Sequence, residues 1–104
     1  MFGRNMEAAL TYENFAKQLS TEFQVDQEGE QVQLVLIEMS QLKKTERQEE
    51  FSLMFRGPLE RPLSQATHQF KHPEMGDFPL FIVPIKRNED GFNYEAVFNR
   101  FLES

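Results

Sequence analysis

The chain of 104 residues is long enough for one domain and not for two, and with 39% apolar and 27% charged residues it has an ordinary globular composition. The absence of cysteine excludes a disulfide scaffold, a thiolate nucleophile and any Cys-ligated zinc or iron–sulfur centre. A net charge of −6 has the wrong sign for a nucleic-acid surface, whose affinity comes largely from Lys and Arg releasing counterions.

Residues 1–9 show no periodicity and are expected to be disordered, leaving one β-rich domain over residues 10–102. Thr11 suits a helix N-cap, Glu13 the first helical turn, and Leu10 can staple onto Phe15 across the cap. Phe15 and Leu19 fall four apart on one face. The spacing predicts a short amphipathic helix from about Tyr12 to Leu19, too short to stand without packing on something else.

From Thr21 the period drops from 3.6 to 2. Phe23 and Val25 face one way and Glu22, Gln24 and Asp26 the other, as in a half-buried strand. Gln27 to Glu30 is a turn. The next strand is apolar on both sides near its middle, with Val32, Leu34 and Leu36 opposed by Val35, Ile37 and Met39. The polar run from Gln41 to Glu50 reads as a solvated connection or frayed strand ends. Phe51, Leu53 and Phe55 alternate with Ser52, Met54 and Arg56 in a third strand.

Gly57-Pro58 ends that strand, and Pro62 makes the following stretch an irregular loop, because proline cannot donate to a ladder. Thr67 to His72 is extended and Pro73 to Asp77 a turn. Phe78 to Ile85 is apolar at nearly every position, and an Asp90-Gly91 hairpin signal precedes the alternating Phe92, Tyr94, Ala96 and Phe98. Gly57 and Gly76 suit turns that need positive φ. The expected architecture is mainly β: about six antiparallel strands in a small, partly open barrel or rolled sheet, with the one helix plugging an end or covering an edge.

Chemistry finds little footing. His68 and His72 have the zinc spacing of a helix but lie on a strand, ~13 Å apart, so no metal is expected. Asp26, Glu28 and Glu30 lack the distant carboxylate that closes a calcium loop. Glu49 and Glu50 are consecutive and point to opposite faces of a strand. No serine sits in a nucleophile elbow and no glycine loop cradles phosphate, so neither an enzyme nor a bound cofactor is expected. No run of about 18 apolar residues and no basic-then-apolar leader is present, which predicts a cytoplasmic chain that does not cross a membrane.

The eleven Phe are assigned mostly to the core, with Phe15, Phe23, Phe51, Phe55, Phe81 and Phe98 on alternating faces. Phe92, beside the Asp-Gly tip, and Phe101, near the C-terminus, can extend past a small core, and exposed aromatics anchor protein interfaces. Arg56 and Arg61 stand on or beside the constrained 57–66 loop, where they can hold a partner's carboxylate or neutralise a nearby Glu. Arg56 and Glu95, polar residues within core-like strands, are expected to form an ion pair on a shared sheet face.

The ordered blocks Phe51-Ser52-Leu53-Met54-Phe55-Arg56-Gly57-Pro58, His72-Pro73-Glu74-Met75-Gly76, Leu80-Phe81-Ile82-Val83-Pro84-Ile85 and Tyr94-Glu95-Ala96-Val97-Phe98-Asn99, with Leu10-Thr11 and Phe15 upstream, resemble a family of small bacterial proteins known only as a domain of unknown function. The likeness covers residues 10–99 and departs at Ser64 and Ala66, where the family leans to Pro and Gly. It implies an association with phage-tail-collar or microcystin-dependent-type proteins, hence a structural or assembly role, and supplies no catalytic residue.

Together these readings predict a noncatalytic interaction or assembly module with a protein partner. Two alternatives are a small barrel binding an apolar ligand, and an acidic decoy for a basic partner. The decoy is suggested by the first half, where residues 1–52 carry 5 basic and 10 acidic side chains against 6 and 7 in residues 53–104.

Overall fold

A computed structural model describes residues 10–101; the segment 1–9 expected to be disordered, and the domain end expected at 102, lie outside it. Among the described residues one helix, α1 (Tyr12–Ala16), precedes seven strands: β1 (Glu22–Gln27), β2 (Glu30–Met39), β3 (Lys43–Lys44), β4 (Gln48–Gly57), β5 (Ala66–His72), β6 (Gly76–Arg87) and β7 (Phe92–Phe101). Six of them form a closed antiparallel barrel in the order β2-β1-β5-β6-β7-β4, which the β2–β4 pairing completes. The two-residue β3 extends the β4 edge beyond β2, with Lys43 opposite Glu50 and Lys44 opposite Glu49. The mainly β expectation holds, and the ring is complete.

The barrel consists of two three-stranded meanders. In the first, β1 pairs with β2 and β2 with β4; in the second, β5 pairs with β6 and β6 with β7. Two seams join them, ten residue pairs between β4 and β7 and three between β1 and β5. Residues 58–65 are the link between the halves.

Alternation along each strand fills the interior. Phe23 and Val25, Leu34 and Leu36, Leu53 and Phe55, Phe70, Phe78, Ile82 and Tyr94 are essentially inaccessible to solvent. A six-stranded ring is narrow enough for side chains alone to close it. At one end α1 acts as a plug. Thr11 caps it by accepting the Asn14 N–H at 3.1 Å, and Phe15 enters between the meanders, with ring centroids 6.3 Å from both Phe23 and Phe51, 6.0 Å from Phe78 and 5.2 Å from Phe98. Five helical residues have no independent stability, so this packing holds the helix. At the opposite end Leu63, buried at 3% exposure, is the second plug, and its N–H donates to the Tyr94 hydroxyl at 2.9 Å.

Several local expectations are corrected. Regular helix stops at Ala16, because Gln18 and Leu19 donate to residues three back and Ser20 turns left-handed at φ 72°. Leu19 is consequently exposed. Phe81 points out of the barrel, since its neighbours Leu80 and Ile82 point in; Phe70 and Phe78 take the core positions. Gly57 is not at positive φ. It is glycine for lack of space, as a Cβ there would strike Leu34. A Cβ at Gly91 would likewise strike the Gly57 carbonyl, and the β6–β7 turn has Glu89 and Asp90 at its corners with Asn88 and Gly91 bonded to each other in both directions. Positive φ is used where the β1–β2 hairpin turns on Glu28 (53°) and Gly29 (86°), the type I′ pattern that matches strand twist.

Candidate functional site

The outward faces of β6 and β7 carry the main exposed apolar surface. On β6, Phe81 and Ile85 are 50% and 47% exposed; on β7, Val97 and Phe101 are 59% and 77% exposed. Val83, half-buried, is paired with Glu95 and sets the two strands' outward positions on one face. Ile85 stands at the register shift between Pro84 and Lys86, which turns it outward in the bulge. Next to this stripe β4 contributes Met54 and Ser52, opposite Glu95 and Val97, and Glu50, opposite Asn99. The apolar stripe is thus interrupted on β7 by Glu95, between Val83 and Met54, and bordered on β4 by Glu50, which lies between Asn99 and Lys43.

The residues singled out from sequence fall in different places. Phe101 lies on this face. Phe92, expected to extend past the core, is half-buried and packs on the core, 6.2 Å from the Tyr94 ring and beneath the Arg87 guanidinium at 6.0 Å. Arg61 binds Glu30 at 2.6 Å, and Gln27 donates to the Pro62 carbonyl at 3.1 Å, so the 57–66 loop is fastened to the β1–β2 hairpin. Arg56 and Glu95 share the outer face but sit diagonally, Arg56 opposite Asn93 and Glu95 opposite Met54. The expected ion pair gives way to a hydrogen bond from Arg56 Nε to Asn93 Oδ1 at 3.3 Å, the directly opposed partner. Phe81, Ile85 and Val97 were missed. The signal for Phe81 and Val97 is alternation, since with Leu80, Ile82 and Ala96 inside these two must be outside; Ile85 lies in the bulge, where alternation breaks.

Polar groups near the ends are structurally engaged. Glu49, nearly buried, meets Arg100 at 2.9 Å and Lys44 at 4.0 Å across β3, β4 and β7. Half-buried His68 bonds the Ser64 carbonyl at 2.8 Å, while His72 is buried in a separate network with Thr21. Burial pushes the Tyr94 phenol above its ordinary pKa, against the smaller opposing effect of the Leu63 N–H, which keeps the hydroxyl neutral as an acceptor. The hollow at Ser40, Lys43, Glu50 and Glu95 is open to solvent and of mixed polarity, whereas the barrel interior is filled by rings. No helix among the described residues is long and apolar enough to cross a membrane.

A family model described as "Domain of unknown function (DUF6916)" matches residues 10–98, which include both plugs, the β1–β5 seam, seven of the ten β4–β7 pairs and, of the exposed face, Phe81, Ile85 and Val97. No curated protein and no solved structure matches the chain.

Proposed function

The chain belongs to the DUF6916 domain family, and we propose that this small barrel is a noncatalytic interaction module whose contact face is the outer β6–β7 surface. The observation that carries the reading is the stripe of Phe81, Ile85, Val97 and Phe101, four large apolar side chains left in water by a domain whose core is already full. Grouped exposure of this kind marks protein contact sites, and aromatic side chains supply the anchors. The partner is a protein surface that is mainly apolar, with a basic group to meet Glu95 between Val83 and Met54. It is engaged in the cytoplasm and, on the resemblance of the sequence blocks, in a phage-tail or prophage assembly.

The test uses the full chain as bait against the products of neighbouring genes, compared with a Phe81→Ser, Val97→Ser variant. Supporting the reading requires one partner retained by the parent and lost by the variant while the fold is unchanged. Equal retention by both would move the contact off this face. Binding that survives 0.5 M salt fits the apolar stripe; binding abolished by salt instead favours the acidic-decoy alternative. The apolar-ligand alternative has no support from the interior, which Phe, Leu and Val side chains occupy. A ligand-bound mass in native mass spectrometry would revive it.

A further inference from the structure

The β1–β5 seam is the shortest in the ring, three residue pairs from Gln24–Lys71 to Asp26–Gln69. At its α1 end stands His72, 6% exposed, with its ring centroid 4.4 Å from that of Phe23. Its Nδ1 accepts two backbone N–H groups of the β5–β6 turn, from Glu74 at 3.1 Å and Met75 at 3.4 Å. Its Nε2 lies 3.0 Å from Thr21 Oγ1, whose own proton goes to the Gln18 carbonyl at 2.7 Å. Only one arrangement satisfies all four contacts: a neutral ring with the proton on Nε2, donating to Thr21. Gln18 Nε2 completes the circuit by donating to Glu74 Oε1 at 2.9 Å. The network therefore bridges the two meanders and ties the end of the α1 segment to the β5–β6 turn.

We infer that His72 is the pin of an acid-released latch, holding α1 and the start of β1 against the β5–β6 turn while neutral and letting them part when protonated. A second ring proton must go on Nδ1, where it would face two N–H donors and no acceptor. The cation fits only if the turn opens. Burial works in the same direction, lowering the ring's pKa from the ordinary 6.5, and the nearby Glu74 carboxylate opposes it more weakly. Of the other charged groups nearby, Glu22 at the start of β1 lines the same hollow as His72, Lys17 beyond α1 lines an adjoining one with Glu74, and Lys71 on β5 and Asp77 on β6 are paired on the outer face of the sheet. Because the opened state binds the proton more tightly than the closed one, the latch is fully closed above pH 6.5. It weakens as pH falls below that value, by at most about tenfold per pH unit, until the closed state's own pKa is passed.

Amide hydrogen exchange on the intact chain from pH 7.5 to 5.0, above the ordinary carboxylate range, tests this. Protection at Lys17, Gln18, Thr21, Glu74 and Met75 is expected to fall with pH below 6.5 while the β4–β7 ladder holds. The ring of His72, followed by NMR, is expected to titrate below 6.5. In His72→Asn the amide oxygen can still accept both turn N–H groups but cannot titrate, and protection should become independent of pH. A His72 midpoint at or above 6.5, flat protection in the parent, or persisting pH dependence in the Asn variant would each overturn the inference. The parent measurements decide it alone if the variant does not fold.

Discussion

The Tyr94 hydroxyl accepts the backbone N–H of Leu63 at 2.9 Å, and through this bond a strand of one meander holds the link between the two. Tyr94 is 1% exposed and Leu63 3%, so neither group has water as a substitute. Tyr94→Phe keeps the ring and orphans the N–H, which costs about 1–3 kcal/mol. Urea unfolding should register that loss, and limited proteolysis should cut residues 58–65 faster than in the parent. An unchanged midpoint would mean that the loop is held by Leu63 packing, the Arg61–Glu30 pair and the Gln27–Pro62 bond without help from Tyr94.

Phe15 is the only core ring contributed by α1, and it touches four others. Phe15→Ala is expected to destabilise the domain by about 3–5 kcal/mol, a large share of what a domain of this size has. Thermal unfolding should shift down steeply, and amide exchange should show α1 lost first.

Glycine substitutions separate crowding from backbone conformation. Gly57→Ala drives a methyl into Leu34, an overpacking expected to cost about 1–3 kcal/mol. At Gly29 nothing lies near a new Cβ, and the cost of Gly29→Ala comes from φ +86° alone, about 1–2 kcal/mol. A Leu34→Ala background should relieve the Gly57→Ala penalty and leave the Gly29→Ala penalty untouched; equal effects on both would reject the crowding account.

The two ion-pair sites should also differ. Arg61–Glu30 is exposed, and Arg61→Ala is expected to change stability by about 0–1 kcal/mol, less at high salt. Glu49 is nearly buried between Arg100 and Lys44, so Glu49→Ala should be the more damaging of the two in chemical denaturation.

Phe81 lies on the outside of the sheet with half its surface in water, so Phe81→Ser should cost far less stability than Phe15→Ala, about 1 kcal/mol or less. A loss comparable to that of Phe15→Ala would show that Phe81 packs inside after all.

Strand positions were legible because burial imposes a period of two on residues such as Phe51, Leu53 and Phe55, and the Thr11 cap because its side chain acts within three residues. What escaped sequence reasoning depends on contacts far apart in the chain. Phe81 and Phe78 are equally apolar, and only their neighbours' orientation tells them apart. Arg56 has Asn93 directly opposite and Glu95 on the diagonal, a matter of the β4–β7 register between segments some forty residues apart. Gly57 looks like a turn glycine beside Pro58 until Leu34 is placed against it. The exposed stripe was hidden for the same reason, since an apolar run does not say which half of it faces water.

Because the ring is two meanders joined along two seams, its assembly has a natural order. The hairpins β1–β2, β5–β6 and β6–β7 close over short stretches of chain, on the microsecond scale of isolated hairpins. The seams must bring together residues as distant as Gln24 and Lys71 or Gln48 and Phe101, and loop-closure entropy makes those encounters slow. Phe15 touches Phe23 and Phe51 of the first half and Phe78 and Phe98 of the second. It can reach its full set of neighbours only once both halves have met, so the α1 plug is a late event in folding, and its ring reports when the barrel has closed.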